Sequence, residues 1–138
     1  MTHPSKRRYI RVISLREPST PKPANNTEEE IEWLCECLGL TDERDKLAKE
    51  IFKELVKASK EDNGITTYQI KEKVHVTQGA VVYHINTFIR SGMVIKEGRY
   101  YYLRAPTLSD TLSEMEQYML RRMELLRKIA RELEDSMQ

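Results

Sequence analysis

Apolar residues recur along this chain with three different rhythms. Between residues 27 and 62 the rhythm is helical, and Ile31, Leu34, Cys35 and Leu38 fall at i, i+3, i+4 and i+7 of one stripe. Thr27 is placed to cap that helix and Gly39 to end it, with Glu28, Glu29 and Glu30 in the first turn, where the helix dipole favours negative charge. A second helix is predicted over 42–61, capped by Thr41 and stopped by Asn63-Gly64. Leu47, Ile51, Leu55 and Ala58 mark its apolar face, widened by Ala48, Phe52 and Val56. The lysines and glutamates of both helices read as a solvated face.

The rhythm changes twice within residues 66–103. Thr66 and Gln69 have capping-box spacing, and Ile65, Ile70 and Val74 supply the buried side of a short helix ending near His75. Thr77 then caps a helix over 78–91, with Val81, Ile85, Phe88 and Ile89 as its buried face and Gly92 as its stop. A connection of about three residues forces two helices to cross steeply, as in a helix-turn-helix. Residues 93–96 and 99–103 read as strands joined by Glu97-Gly98, a two-residue connection suited to a tight hairpin.

From Thr107 or Ser109 to about Met137 the chain has neither Gly nor Pro, so one helix of about 43 Å is expected. Leu112, Met115, Met119, Leu126, Ile129 and Leu133 fit a heptad, with Arg122 interrupting one position and Met123, Ala130 and Met137 widening the stripe. A stripe this long predicts a dimerisation helix, the alternative being packing on the first two helices. At the other end, residues 6–16 read as a strand or a basic arm, and 17–26, with three prolines, as a linker. The expected architecture is mainly α with a small β-hairpin wing. It comprises an arm and linker over 1–26, a winged helix-turn-helix domain over 27–104 and a C-terminal dimerisation helix over 105–138.

The net charge of +1 conceals segregation: residues 1–26 carry +5, 27–62 carry −6, 63–104 carry +4 and 105–138 carry −2. The near-neutral total therefore does not argue against a polyanionic partner. No apolar run approaches the ~18 residues of a membrane span, and the N-terminal residues lack the apolar core of a secretory signal. Cys35 and Cys37, two apart on a helix, cannot bridge one another, which suits a reducing compartment. A cytoplasmic protein is expected. There is no nucleophile–base pairing, phosphate-binding glycine loop or metal-ligand spacing, so neither an enzyme nor a cofactor nor a metal is expected.

The outward face of the 78–91 helix carries Gln78, Gly79, Val82, Tyr83, Asn86 and Arg90, and no acidic residue. Gln and Asn can pair with adenine edges and Val82 can meet a thymine methyl. Gly79 and Ala80 let the helix start approach a phosphate closely. His84 adjoins the buried face and reads as a residue hydrogen-bonded within the domain, whereas His75 reads as an exposed turn residue.

The stretch VTQGAVVYHINTFIRSGMV resembles the recognition-helix signature of prokaryotic winged helix-turn-helix transcriptional regulators, particularly ArsR-like ones. Thr77, Gly79, Ala80, Val81, Tyr83-His84-Ile85, Phe88 and Ser91-Gly92-Met93-Val94 fall in that register. The resemblance implies binding of double-stranded DNA as a homodimer, with Thr77, Gln78, Ala80, Val82, Tyr83 and Asn86 as contacts. Joined to the residue chemistry, it assigns base reading to Gln78, Ala80, Val82, Tyr83 and Asn86. Backbone contact falls to Thr67, Thr77, Arg90, Lys96 and Arg99, with Arg7 and Arg8 from the arm. Cys35-Glu36-Cys37 resembles the Cys-x-Cys motif of metal-sensing ArsR-like proteins but lies two helices earlier, leaving a metal- or thiol-responsive sensor as one alternative. A winged helix used for protein contacts, or for double-stranded RNA, is another. A Lys/Glu-rich, Gln-poor composition points to an archaeal or thermophilic source.

Overall fold

The computed structural model describes residues 25–40 and 46–138. The expected arm, most of the linker and the Thr41 cap lie outside the described residues, as do Arg7 and Arg8. The described residues form five helices and one antiparallel hairpin: α1 (Thr27–Cys37), α2 (Lys46–Lys60), α3 (Thr67–Val74), α4 (Gln78–Ser91), β1 (Val94–Glu97), β2 (Tyr100–Leu103) and α5 (Leu108–Ser136). None of these helices is long and apolar enough to cross a membrane.

The first two helices stop for local reasons, not all of them foreseen. Asn26, not Thr27, caps α1, its side chain accepting from the Glu29 N–H at 3.1 Å. Thr27 is thereby drawn into the first turn. At the other end Gly39 takes φ 66, while the Leu40 N–H donates to Cys35 O at 3.0 Å and the Gly39 N–H to Glu36 O at 3.1 Å, a Schellman closure. The same closure ends α2 earlier than expected. Asp62, at φ 57, takes the left-handed position, and the Asn63 N–H reaches Ala58 O at 3.1 Å. A short polar side chain tolerates that conformation.

Gly64 is thus not the helix stop; it makes room for the hairpin. A Cβ there would sit 2.5 Å from Tyr102 Cζ and 2.8 Å from Tyr100 Cβ. The close approach lets Ile65 pair with Tyr101, through Ile65 N–H to Tyr101 O at 3.0 Å and Tyr101 N–H to Ile65 O at 2.8 Å.

α2 runs through the middle of the core. Ala48, Ile51, Phe52 and Leu55 are buried, with Leu47, Val56 and Ala58 only partly so, which shifts the centre of its apolar face by one residue. Phe52 meets Phe88 of α4 edge-on at 6.2 Å. Ile65, Ile70, Val81, Ile85, Met93, Val94, Tyr101 and Leu103 complete the interior. The charges of α1 and α2 are not simply a solvated face. Lys49 is buried between Glu32 (3.7 Å) and Glu36 (3.9 Å), Lys53 pairs with Glu28, and Glu54 reaches Lys73 of α3 at 3.7 Å.

The hairpin pairs Val94 with Leu103 and Glu97 with Tyr100, so its connection is Gly98-Arg99, one residue later than the sequence suggested. Gly98 takes φ 63 at the first turn position, where a glycine-first hairpin turn requires it. Beyond β2, Arg104 is a buried residue that ties three elements together. Its Nε donates to Gly92 O at 2.6 Å, its guanidinium reaches Glu114 of α5 at 3.2 Å, and its backbone N–H donates to Met93 O at 2.9 Å. Burial pulls the guanidinium's pKa down and Glu114 acts against that shift.

Thr107 caps α5, accepting from the Asp110 N–H at 3.0 Å. Only the base of this helix rests on the domain: Thr111 is buried, its hydroxyl accepting from the Ala105 N–H at 3.0 Å, and Met115 is a core residue with Leu112 packed beside it. Leu112 and Met115 were expected to face a second copy. They face their own core instead, because the connection after β2 is short enough to lay the first turns of α5 on it. Residues 121–138 are exposed.

Candidate nucleic-acid interface

α3 and α4 are joined by three residues, His75 to Thr77; Val76 packs partly against the core, and its two neighbours shape the helix ends. His75 ends α3 in the left-handed conformation at φ 59. Thr66 forms the full capping box with Gln69, accepting from its N–H at 3.1 Å while the Gln69 side chain accepts from Thr66 N–H at 2.9 Å. Thr77 caps α4, its hydroxyl oxygen accepting from the Ala80 N–H at 3.2 Å. Gln78 and Gly79 therefore supply the N–H groups that the helix start presents outward.

The two faces of α4 separate cleanly. Val81, Ile85 and Phe88 are fully buried and Ile89 packs partly against the core. Gln78, Gly79, Tyr83, Asn86 and Arg90 are exposed, and Ala80 and Val82 are half-buried at the edge. Tyr83 is 66% exposed, which leaves its ring face and hydroxyl open on the outer side of the helix. Arg90 reaches Thr87 Oγ1 at 3.3 Å, which holds its guanidinium along the helix. His84 is half-buried and lies edge-on to Tyr83, ring centroids 5.2 Å apart.

A Cβ built on Gly79 meets nothing within 4 Å. The domain itself therefore does not need glycine there. Replacing it with alanine should raise stability by up to about 1 kcal/mol, because alanine is the better helix former. If a ligand backbone approaches this turn closely, Gly79→Ala will at the same time weaken binding. Thermal unfolding read beside a binding titration measures both, and unchanged binding would remove Gly79 from the interface.

The hairpin tip carries the second group of expected contacts. Lys96, Glu97, Gly98, Arg99 and Tyr100 are all exposed. Lys96 extends over the Tyr101 ring, its Nζ 5.7 Å from the centroid, which fixes where the ammonium stands. Thr67, expected to touch backbone, is half-buried in the first turn of α3. Next to it Tyr68 is 64% exposed with Lys71 Nζ 5.9 Å from its ring, an aromatic–cation pair that sequence reading did not single out.

The basic residues of 63–104 are not equivalent. Arg104 is turned inward and Lys73, though exposed, stands 3.7 Å from Glu54, so the positive charge this segment offers to solvent rests chiefly on Lys71, Arg90, Lys96 and Arg99. The cysteines tell a similar story of position over composition. Cys35 is fully buried, and burial pushes its thiol up to about 12, with Lys49 acting against the shift. Cys37 is also raised, again chiefly by burial. Neither is a ready thiolate, the form that binds metal or reacts. No family model matches the chain, and neither the curated proteins nor the solved structures yield a match to it.

Proposed function

We propose that the chain is a sequence-specific, double-stranded-DNA-binding transcriptional regulator with a winged helix-turn-helix domain, acting as a homodimer. In this reading α4 enters the major groove, Gln78, Ala80, Val82, Tyr83 and Asn86 meet base edges, and Thr67, Thr77, Arg90, Lys96 and Arg99 hold the backbone. The observation that carries it is the exposed face of α4. In a chain where a third of the residues are charged, that face has polar amides, an exposed tyrosine and an arginine but no carboxylate. A solvated helix in such a chain would be expected to mix both signs, whereas a surface that meets phosphates cannot carry acid without repulsion.

Selection of bound fragments from random duplexes at a stated salt concentration tests the reading and supplies the site. A short, roughly palindromic sequence is expected, with affinity falling steeply as salt rises. Tyr83→Ala with Asn86→Ala should relax the choice of bases, each lost base contact costing about 1–3 kcal/mol of discrimination. A double variant that selects the same sequence with the same preference would move the reading face elsewhere. Failure to retain any duplex would leave the module as a protein-docking one.

A further inference from the structure

We infer that two copies of the chain pair through α5 in antiparallel orientation, with Arg127 of each copy set against Glu134 of the other. The inference rests on the homodimer part of the reading above and not on DNA binding.

The distal part of α5 leaves large apolar side chains in water. Leu126 is 48% exposed, Ile129 51% and Leu133 56%, on a segment whose residues 121–138 are all exposed. Covering such a stripe is favourable, at about 25 cal/mol for each Å² of apolar surface removed from water. Assigning Leu112 and Met115 to the domain's own core changes how the remaining stripe reads. Met119, Met123, Leu126, Ala130, Leu133 and Met137 now follow one another at intervals of four and three, a heptad seam that excludes Arg122 and moves Ile129, expected within the seam, to the flank that carries Arg122. The seam continues into an open apolar groove of about 300 Å³ at the base of α5, lined by Leu38, Met119, Leu120 and Met123 among others.

The charges beside the seam choose the orientation. Arg122 lies on one flank, and Arg127 and Glu134 lie on the other. In a parallel pair opposite flanks meet, five residues apart, and Arg122 of each copy would stand against Arg127 of the other. In an antiparallel pair like flanks meet. Arg127 then faces Glu134 of the second copy twice over, while Leu126 meets Met137 and Ala130 meets Leu133. Two repulsions become two attractions, and a surface that complements itself about a two-fold axis is suited to a second copy of the chain. In this register the midpoint falls between residues 131 and 132, so the pair covers residues 126–137 and leaves Met119 and Met123 at the groove; setting Met119 opposite Met137 instead would bring the two Arg127 side chains together, so the charges select the register as well as the orientation. The two Met115 side chains are then roughly 50 Å apart along the axis, whereas a parallel pair would set the domains side by side.

Sedimentation equilibrium without DNA should give twice the 16.3 kDa chain mass. Leu126→Asp with Leu133→Asp should return it to one while leaving the melting of the domain unchanged. Arg127→Glu should weaken the dimer by roughly three- to tenfold, and adding Glu134→Arg should restore it. A parallel pair predicts the opposite sign, since Arg127→Glu would relieve its repulsion. In a Cys37→Ser background, Leu126→Cys mixed with Met137→Cys should cross-link under mild oxidation, and neither alone should. Self-cross-linking of Met137→Cys, or a tighter Arg127→Glu dimer, overturns the orientation, and a monomeric wild type overturns the pairing altogether. A dimer that passes these tests but binds no duplex would sink the DNA reading and leave this one standing.

Discussion

Phe88→Ala should lower the free energy of unfolding by about 3–5 kcal/mol, the range for a fully buried phenylalanine whose removal leaves a cavity. Phe88 has no exposed surface, and its ring stands edge-on to Phe52 at 6.2 Å. It therefore joins α4 to α2, the helix at the centre of the core. Against a total stability of about 5–15 kcal/mol for a domain, the loss takes from about a fifth to the whole of it. Tyr83→Ala, five residues earlier on the same helix, should change stability by no more than about 0.5 kcal/mol, because that ring is on the surface. Urea unfolding followed by circular dichroism measures both. Equal losses at the two positions would mean that the inside and outside of α4 have been assigned to the wrong faces.

That contrast between Phe88 and Tyr83 could be read from spacing alone, and it shows which features were legible. The limits of α4 came out as expected because Thr77 and Gly92 act on their immediate neighbours: a hydroxyl that accepts from the Ala80 N–H, and a residue free to take φ 88. The capping box of α3 is equally local. The hairpin was misplaced by one residue because a glycine can take either central turn position. What decides between them is the pairing of Val94 with Leu103, which depends on the burial of both.

Gly64 and Arg104 were misjudged for a different reason. Each looks ordinary in its own stretch, as a helix stop and as one more base of a positive segment. Their partners are remote: the Tyr100 and Tyr102 side chains for Gly64, Gly92 O and Glu114 for Arg104. No periodicity reports a contact of that kind. Met115 makes the same point for α5. A heptad says which residues share a stripe, but only the path of the chain after β2 decides where the domain stops using it and another surface must begin.

The exclusion of Arg104 from the surface sharpens the second large effect, which concerns binding. Lys96→Ala with Arg99→Ala should weaken binding to every duplex alike, since phosphate contacts hold the protein in place without reading bases. Each contact contributes a salt slope of about −0.9, so at about 0.1 M salt it is worth a factor of roughly 8 and the pair roughly 60. The slope of log K against log salt should fall in magnitude by about 2, and the preferred sequence should stay the same. Arg104→Met provides the internal comparison. It carries the same formal charge change per residue, but its guanidinium is buried against Gly92 O and Glu114, so it should cost stability and leave the salt slope nearly intact. Titrations of a fluorescent duplex at four or five salt concentrations distinguish the two. Were the Lys96/Arg99 variant to keep the full slope, the hairpin tip would not lie on the backbone, and the positive charge that binds phosphate would have to be sought on α4 at Arg90 or on α3 beside Tyr68.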